Sequence, residues 1–463
     1  MASDVHQKAL AVNLDPTRYG SFAEIGAGQE VVRWFFRVGG AAGTIAKSIS
    51  AYDMEVSDVI YGRAQRYVSR ARLEAMLAHE HALNVERLSE LRGADTAFFA
   101  FADTVAARSY LGTSECHAWM GTRFQASPGA ADSQILLHVR MLDSENQQQQ
   151  EALGIVGVNL VYGAFYHADE PERLIESLLD GLSIDRIEVD MIEFSGEAFR
   201  EVDNRVMSLK LVQLCLTPAA VFTATGEALQ VSELLYGKPV LVQRGRFRPP
   251  TLVNEDMQQG ALAHFCEDPE VEEGAVVSLM EMTLPDLSVG GDIQLGDFLD
   301  RIEALAAGPF PVLISNYVPY FRLAEYLARN TGEPIGIALG IRNVKDIFDE
   351  KHYQDLGGGI LEATGRLFKS QVRLFVYPEL DAGSGELVSA DSLEIARDIN
   401  LIYRYLVEHG SIRAIRGFGP ENLHIYSDDV LERIRSGDPS WQGMVPSQVA
   451  QAIQSRKLLG YSG

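Results

Sequence analysis

Three arginines fall within five residues in the run QRGRFRPPT: Arg244, Arg246 and Arg248. A guanidinium is a planar fork that matches a carboxylate or a phosphate. The run therefore reads either as an anion-binding group or as a set of ion pairs with neighbouring acids. It follows the apolar segment PVLVQ, at the expected carboxyl end of a strand. In parallel α/β folds ligands collect beyond those ends, where loops and helix N-termini converge. Gln243 ends that same segment, and other apolar runs deliver Asp190, Glu281, Asn316, Tyr317 and Arg342 to the equivalent position. Asp190 and Glu281 are the acid–base or metal-ligand candidates. Gln243, Arg244, Arg246, Arg248, Asn316, Tyr317 and Arg342 are the substrate-binding candidates. Carboxylates at adjacent strand ends would hold Mg²⁺ together with water, which makes Mg²⁺ the cofactor this arrangement admits.

Other local patterns fall short. GGAAGTIAKS (39–48) ends like a phosphate-binding loop, but Ala46 stands where glycine must precede the lysine. Its small residues are expected to serve close helix packing. Gly26-Ala27-Gly28 lacks the third glycine of a dinucleotide fingerprint, since Val31 is there, and no preceding strand is expected. His79 and His81 lie on different faces of a helix, and no protein metal site is expected. Glu115, Cys116 and His117 form a polar cluster before a strand. A hairpin turning near residue 129 would set His138 opposite Gly121, away from His117, so the cluster reads as structural.

The elements that position these residues change character along the chain. Residues 1 to about 92 read as mostly helical, with apolar residues at helical spacing around Leu73, Met76 and Leu77. Strand-like runs follow at 96–102, 117–124 and 134–141, the last two flanking a turn-rich SPGAAD segment. From residue 186, short apolar runs (RIEVD, AAVFT, PVLVQ, AVVSLME, PVLIS, PIGIALG, QVRLFVY, LHIYS) alternate with amphipathic helices. Such alternation implies parallel strands with right-handed crossovers. The expected fold class is thus α/β. A helical N-terminus and a small antiparallel sheet (1–150) precede repeated βα units (151–463), arranged as a (β/α)8 barrel or as an open parallel sheet.

The 463 residues carry 40 Lys plus Arg against 64 Asp plus Glu, a formal charge of −24. That field opposes phosphate backbones and anionic lipid, so neither nucleic acid nor membrane is an expected partner. Three scattered cysteines fit no disulfide framework and suggest buried thiols in a reducing compartment. No basic-then-apolar leader begins the sequence, and a cytoplasmic location is expected.

Several stretches together, among them FAEIGAGQEVVRWFFRVGGAAGTIAKSISAYDM, ECHAWMG, LVQRGRFRP and GDPSWQGMVP, resemble a bacterial cytosolic family of about this length. The likeness spans nearly the whole chain. Members carry the inherited labels "TonB-dependent receptor" and "nicotinate-nucleotide adenylyltransferase". The first label implies a signal peptide and many membrane strands, and the second an HxGH-type motif; the sequence has none of these. The resemblance transfers no catalytic residues.

The functional expectation is an enzyme that binds a small anionic metabolite, phosphorylated, carboxylated or nucleotide-like, at the carboxyl ends of parallel strands. Two alternatives stay open: a non-catalytic scaffold or filament-forming homo-oligomer, and a metabolite-sensing regulator.

Overall fold

Runs of β-branched and aromatic residues become strands, which the chain sorts into two main sheets. It divides into two units, Met1–Ala220 and Val221–Gly463. The computed structural model describes residues 4–26, 28–107, 116–381 and 383–463.

The first sheet contains β1 (Arg18–Gly26), β2 (Ile45–Ile49), β3 (Ala97–Ala106), β4 (His117–Gln125), β5 (Asp132–Met141) and β6 (Ile187–Gly196), in the order β2-β1-β3-β4-β5-β6. β1 runs parallel to both β2 and β3, whereas β3 to β6 pair antiparallel in succession. The helices of this unit are α1 (Val5–Asn13), α2 (Val31–Val38), α3 (Met54–Tyr61), α4 (Arg70–Arg92), α5 (Asn146–Tyr166), α6 (Pro171–Ser177) and α7 (Asn204–Gln213). Alternation along the strands sends Phe22 towards Phe35 of α2 and Phe99 towards Phe165 of α5. It sends Ser21 to the other face, where it donates to Asn84 of α4. α2 and α5 approach closely because α5 has glycine at the contact: a Cβ on Gly157 would lie 2.3 Å from Val31.

This unit runs past the expected boundary at 150. α5 covers the first sheet, and RIEVD opens β6, an antiparallel member of that sheet rather than the first parallel repeat strand. The N-terminal region is helical as expected but also contributes β1 and β2. GGAAGTIAKS is not a helix-packing segment. Gly39 ends α2 at φ +81°, a short 3₁₀ turn follows at Ala41–Gly43, and Ile45–Ile49 is β2. Cys116 and Cys266 are partly buried and Cys215 is exposed, so none is the buried thiol expected.

The second sheet contains β7 (Ala219–Phe222), β8 (Ala228–Leu229), β9 (Val240–Arg244), β10 (Val277–Thr283), β13 (Val312–Ser315), β14 (Ile335–Gly340), β15 (Val372–Tyr377) and β18 (Ile412–Ala414). Two small hairpins, β11–β12 (Ser288–Val289 with Asp292–Ile293) and β16–β17 (Glu379–Leu380 with Leu387–Val388), stand apart from it. The strand order is β18-β15-β14-β9-β10-β13-β7-β8, and the strands from β13 through β18 run parallel. β8 and β18 are its two edges, so the sheet is open and not a barrel. Between the strands lie α8 (Val231–Leu235), α9 (Leu252–Phe265), α10 (Leu284–Leu287), α11 (Leu295–Leu305), α12 (Tyr320–Thr331), α13 (Ile341–Ile347), α14 (Gly359–Leu367) and α15 (Asn400–Glu408). α16 (Ser427–Ser436) and α17 (Ser447–Arg456) close the chain. LHIYS, expected as a strand, is the turn and loop between a 3₁₀ turn (Pro420–Asn422) and α16. Its alternating buried Leu423 and Ile425 mimic a strand pattern, and the edge strand is Ile412–Ala414 instead.

From β9 the chain steps outward through β10 to β13, then returns to the other side of β9 and steps through β14 and β15 to β18. This is the doubly wound order, with its reversal between β9 and β14.

Candidate functional site

In an open doubly wound sheet, a crevice forms beyond the carboxyl ends of the strands where the winding reverses. A cavity of about 380 Å³ lies at the ends of β9, β10, β13 and β14. β9 contributes Arg244, the end of β10 contributes Thr283, and α10 contributes Asp286. The loop after β13 brings Val318 and Tyr320, and α13 with the turn beyond it brings Asn343, Asp346, Lys351, His352 and Tyr353.

Arg244 dominates the floor. Its Nε and Nη2 donate to the two carboxylate oxygens of Glu281 at 2.8 and 2.9 Å, a bidentate pair across adjacent strands. Nη1 and Nη2 also donate to the carbonyls of Val318 and Tyr317. The guanidinium lies 4.2 Å from the ring centroid of Tyr320. Burial alone would lower its pKa, but the Glu281 carboxylate outweighs that and holds it above the usual arginine value. Glu281 is wholly buried and also accepts from Ser315 at 2.6 Å.

One feature of the wall lacks an internal explanation. The Tyr320 hydroxyl is buried with no hydrogen-bond partner, and burial raises its pKa. Such an orphaned group costs free energy unless a ligand or water completes it. Asp346 also faces the cavity. Asp286 is already in use, accepting from the Thr283 hydroxyl at 2.6 Å in a capping box. The Tyr353 phenol is pushed up to about 12, by burial and then by Asp346 and Asp349, and donates to the Ile347 carbonyl.

The structure distributes the remaining sequence candidates as follows. Arg248 donates to Asp297 at 2.6 Å, and Asp297 also binds Arg301. Arg246 is half-exposed, 3.5 Å from Asp428. Arg342 is exposed, 3.6 Å from Glu379. Asn316 is exposed and Tyr317 half-buried, in the loop that leads to the crevice wall. Gln243 is buried and lines a different cavity. The three arginines therefore do not converge: two have buried carboxylate partners and one points to the surface.

Asp190 belongs to the first unit, not to this crevice. A bulge in β6 pairs His138 with Met191 and Val139 with Val189, leaving Asp190 as the extra residue. Asp190 thereby reaches His138 Nδ1 at 2.5 Å, and His138 Nε2 lies 3.0 Å from His117 Nδ1. His117 and His138 do converge, contrary to expectation. The observed register sets His138 opposite Trp119 rather than Gly121, which leaves His117 its diagonal neighbour on the same face of the sheet. Burial, and then His138, push the His117 pKa down to about 4. Glu115, the other member of that cluster, lies outside the described residues.

Gly26-Ala27-Gly28 is preceded by a strand after all, β1, and α2 follows it. The N-terminus of α2 is nevertheless filled from within: Glu24 accepts from Val31 N–H at 2.8 Å and from Val32 N–H at 3.2 Å. Burial pushes Glu24 up to about 7 and its buried neighbour Asp103 well above the carboxylate range.

No family model and no curated protein matches the sequence. Among solved structures the chain has weak similarity to two kinds of protein. One is the nicotinic acid mononucleotide adenylyltransferase of Plasmodium falciparum (11% identity, 49% of this chain and 98% of that one, TM-score 0.30). The other is a competence/damage-inducible protein from Agrobacterium tumefaciens (15% identity, 34% and 94%, TM-score 0.26). Likenesses this weak carry no argument about the site. No described helix is long and apolar enough to cross a membrane. Among the described residues no cluster of three or more His, Cys, Asp or Glu forms a metal site.

Proposed function

We propose that the second unit is an enzyme that binds a small anionic metabolite, phosphorylated or nucleotide-like, in the crevice where its sheet reverses. The observation that carries this reading is the unpartnered, buried Tyr320 hydroxyl beside Arg244 in a cavity at the switch point. In the proposed complex, Tyr320 and Lys351 donate to the anion. Arg244 adds positive potential while Glu281 fixes its position. Asp346 and Asp286 offer oxygen ligands to a Mg²⁺ ion that arrives with the phosphate, which suits a wall carrying both signs of charge. His352 is the acid–base group on the wall.

A thermal-shift screen of nucleotides and sugar phosphates, with and without MgCl₂, tests the reading. The expected result is a stabilising hit that needs Mg²⁺ and disappears in Asp346→Asn. Stabilisation by no compound, or hits indifferent to Asp346→Asn and to Lys351→Ala, would sink it. A hit without turnover would make the protein a sensor of the same ligand.

A further inference from the structure

Consecutive residues of a strand face opposite sides of the sheet. Arg244 faces the crevice, and its neighbour Gln243 faces α9. There, between α9, the end of α11 and the start of α17, lies a second cavity of about 260 Å³. Its walls are largely apolar, with Phe247, Phe310, Pro250, Pro446 and Met280 among the lining residues.

Five side-chain amides line it (Gln243, Asn254, Gln258, Gln259 and Gln448), and two of them, Gln258 and Gln243, are buried with open hydrogen-bonding positions. Gln258 of α9 is 4% exposed, and neither its Nε2 nor its Oε1 has a partner. Gln243 is fully buried; its Oε1 is unpartnered and its Nε2 has only the weak Met257 sulfur at 3.4 Å. Buried polar groups are normally satisfied. A cavity lined by three open amide positions among flat apolar walls is therefore incomplete without a guest that supplies the complementary donors and acceptor.

The wall chemistry restricts that guest. No Lys, Arg or His lines the cavity, and Glu255 stands exposed at its edge, so an anion is disfavoured. A side-chain amide with both atoms free pairs in bidentate fashion with a neighbouring donor and acceptor on a ring edge, as glutamine does with adenine. Aromatic and proline faces suit a flat ring. We propose that this cavity is a binding site for an uncharged, planar nitrogen heterocycle of nucleobase size, held edge-on by Gln258 and Gln243. The site lies on the opposite face of the sheet from the anion crevice and stands independently of the reading given above.

Calorimetric titration of the full chain tests it with adenine and hypoxanthine as probes and indole as a flat analogue without the donor–acceptor edge. Saturable binding of adenine or hypoxanthine is expected, with indole weaker by about tenfold or more, because a site built to hydrogen-bond rejects an analogue that leaves its groups unpaired. Gln258→Met, and separately Gln243→Met, keep the side-chain length and are each expected to erase that preference. Asp346→Asn, on the other face, leaves the adenine titration unchanged, so failure here and failure of the anion crevice are told apart. The proposal is overturned by the absence of saturable heterocycle binding, which would mean a merely water-filled cavity. Equal affinity for indole, or a preference that survives both methionine variants, overturns it as well.

Discussion

Replacing Arg244 with methionine separates a structural arginine from a ligand-binding one. Glu281 is wholly buried and would lose both bonds from the guanidinium, keeping only that from Ser315. The carbonyls of Tyr317 and Val318 lose their donor at the same time. Removing one partner of a buried pair strands the other charge and costs about 3–5 kcal/mol. For a unit of this size each kcal/mol lowers Tm by roughly 2–4 °C, so Arg244→Met should melt roughly 6–20 °C below wild type. Adding Glu281→Leu removes the stranded charge. Apolar replacement of a whole buried pair is often neutral, so the double variant should recover to within about 2 kcal/mol of wild type. Scanning calorimetry of the full chain reads all three proteins. A single variant that melts within about 2 °C of wild type would refute the reasoning, since Arg244 would then not be committed to Glu281. It would instead be free to bind ligand directly.

Two titrations in the first unit follow from burial. Glu24 is raised from the usual 4.5 to about 7. Between those values the unfolded chain has already released the proton that the fold retains, so stability falls as pH rises through the window. Roughly 2.5 pH units at ~1.4 kcal/mol each give about 3.5 kcal/mol. Urea melts of wild type against Glu24→Gln should show that difference developing between pH 4.5 and 7; a difference that stays constant contradicts it. His117 is depressed from 6.5 to about 4, so its ring stays neutral in the fold while the unfolded chain takes up a proton, and stability is lost as pH falls from 6.5 towards 4. Nitrogen-15 NMR of the imidazole should show a midpoint near 4, whereas a midpoint at 6 or above would mean that the Asp190–His138–His117 chain is open to water.

The second unit was legible because its strands are buried on both faces and read as continuous apolar runs, so β9, β10, β13, β14 and β15 fell within about two residues of expectation. What the runs do not encode is the order in which they assemble. The reversal between β9 and β14 gathers Asp286, Tyr320, Asp346 and Lys351 from three separate segments, and no local spacing announces it. The Thr283–Asp286 capping box after β10 was the one readable signal there. β1 escaped notice because SFAEIGAG mixes glycine and a charge into a strand. Gly20 is required where a Cβ would meet the Phe99 carbonyl at 2.1 Å, and Glu24 serves α2 rather than solvent. The His117–His138 contact was lost to a two-residue shift in register, the kind of error that a hairpin turn decides and composition does not. The arginine run was conspicuous, yet buried carboxylates far away in sequence, Glu281 and Asp297, claim two of its three members.

If the switch-point crevice receives a small anion completed by the Tyr320 hydroxyl, that hydroxyl must contribute to its affinity. Binding calorimetry of the full chain with the best phosphorylated ligand and Mg²⁺, repeated on Tyr320→Phe, tests it most directly. The phenylalanine keeps the ring under Arg244 and removes only the donor. The account predicts saturable 1:1 binding to wild type that weakens about tenfold in Tyr320→Phe, a loss of roughly 1.4 kcal/mol. Equal affinity for both proteins would contradict it.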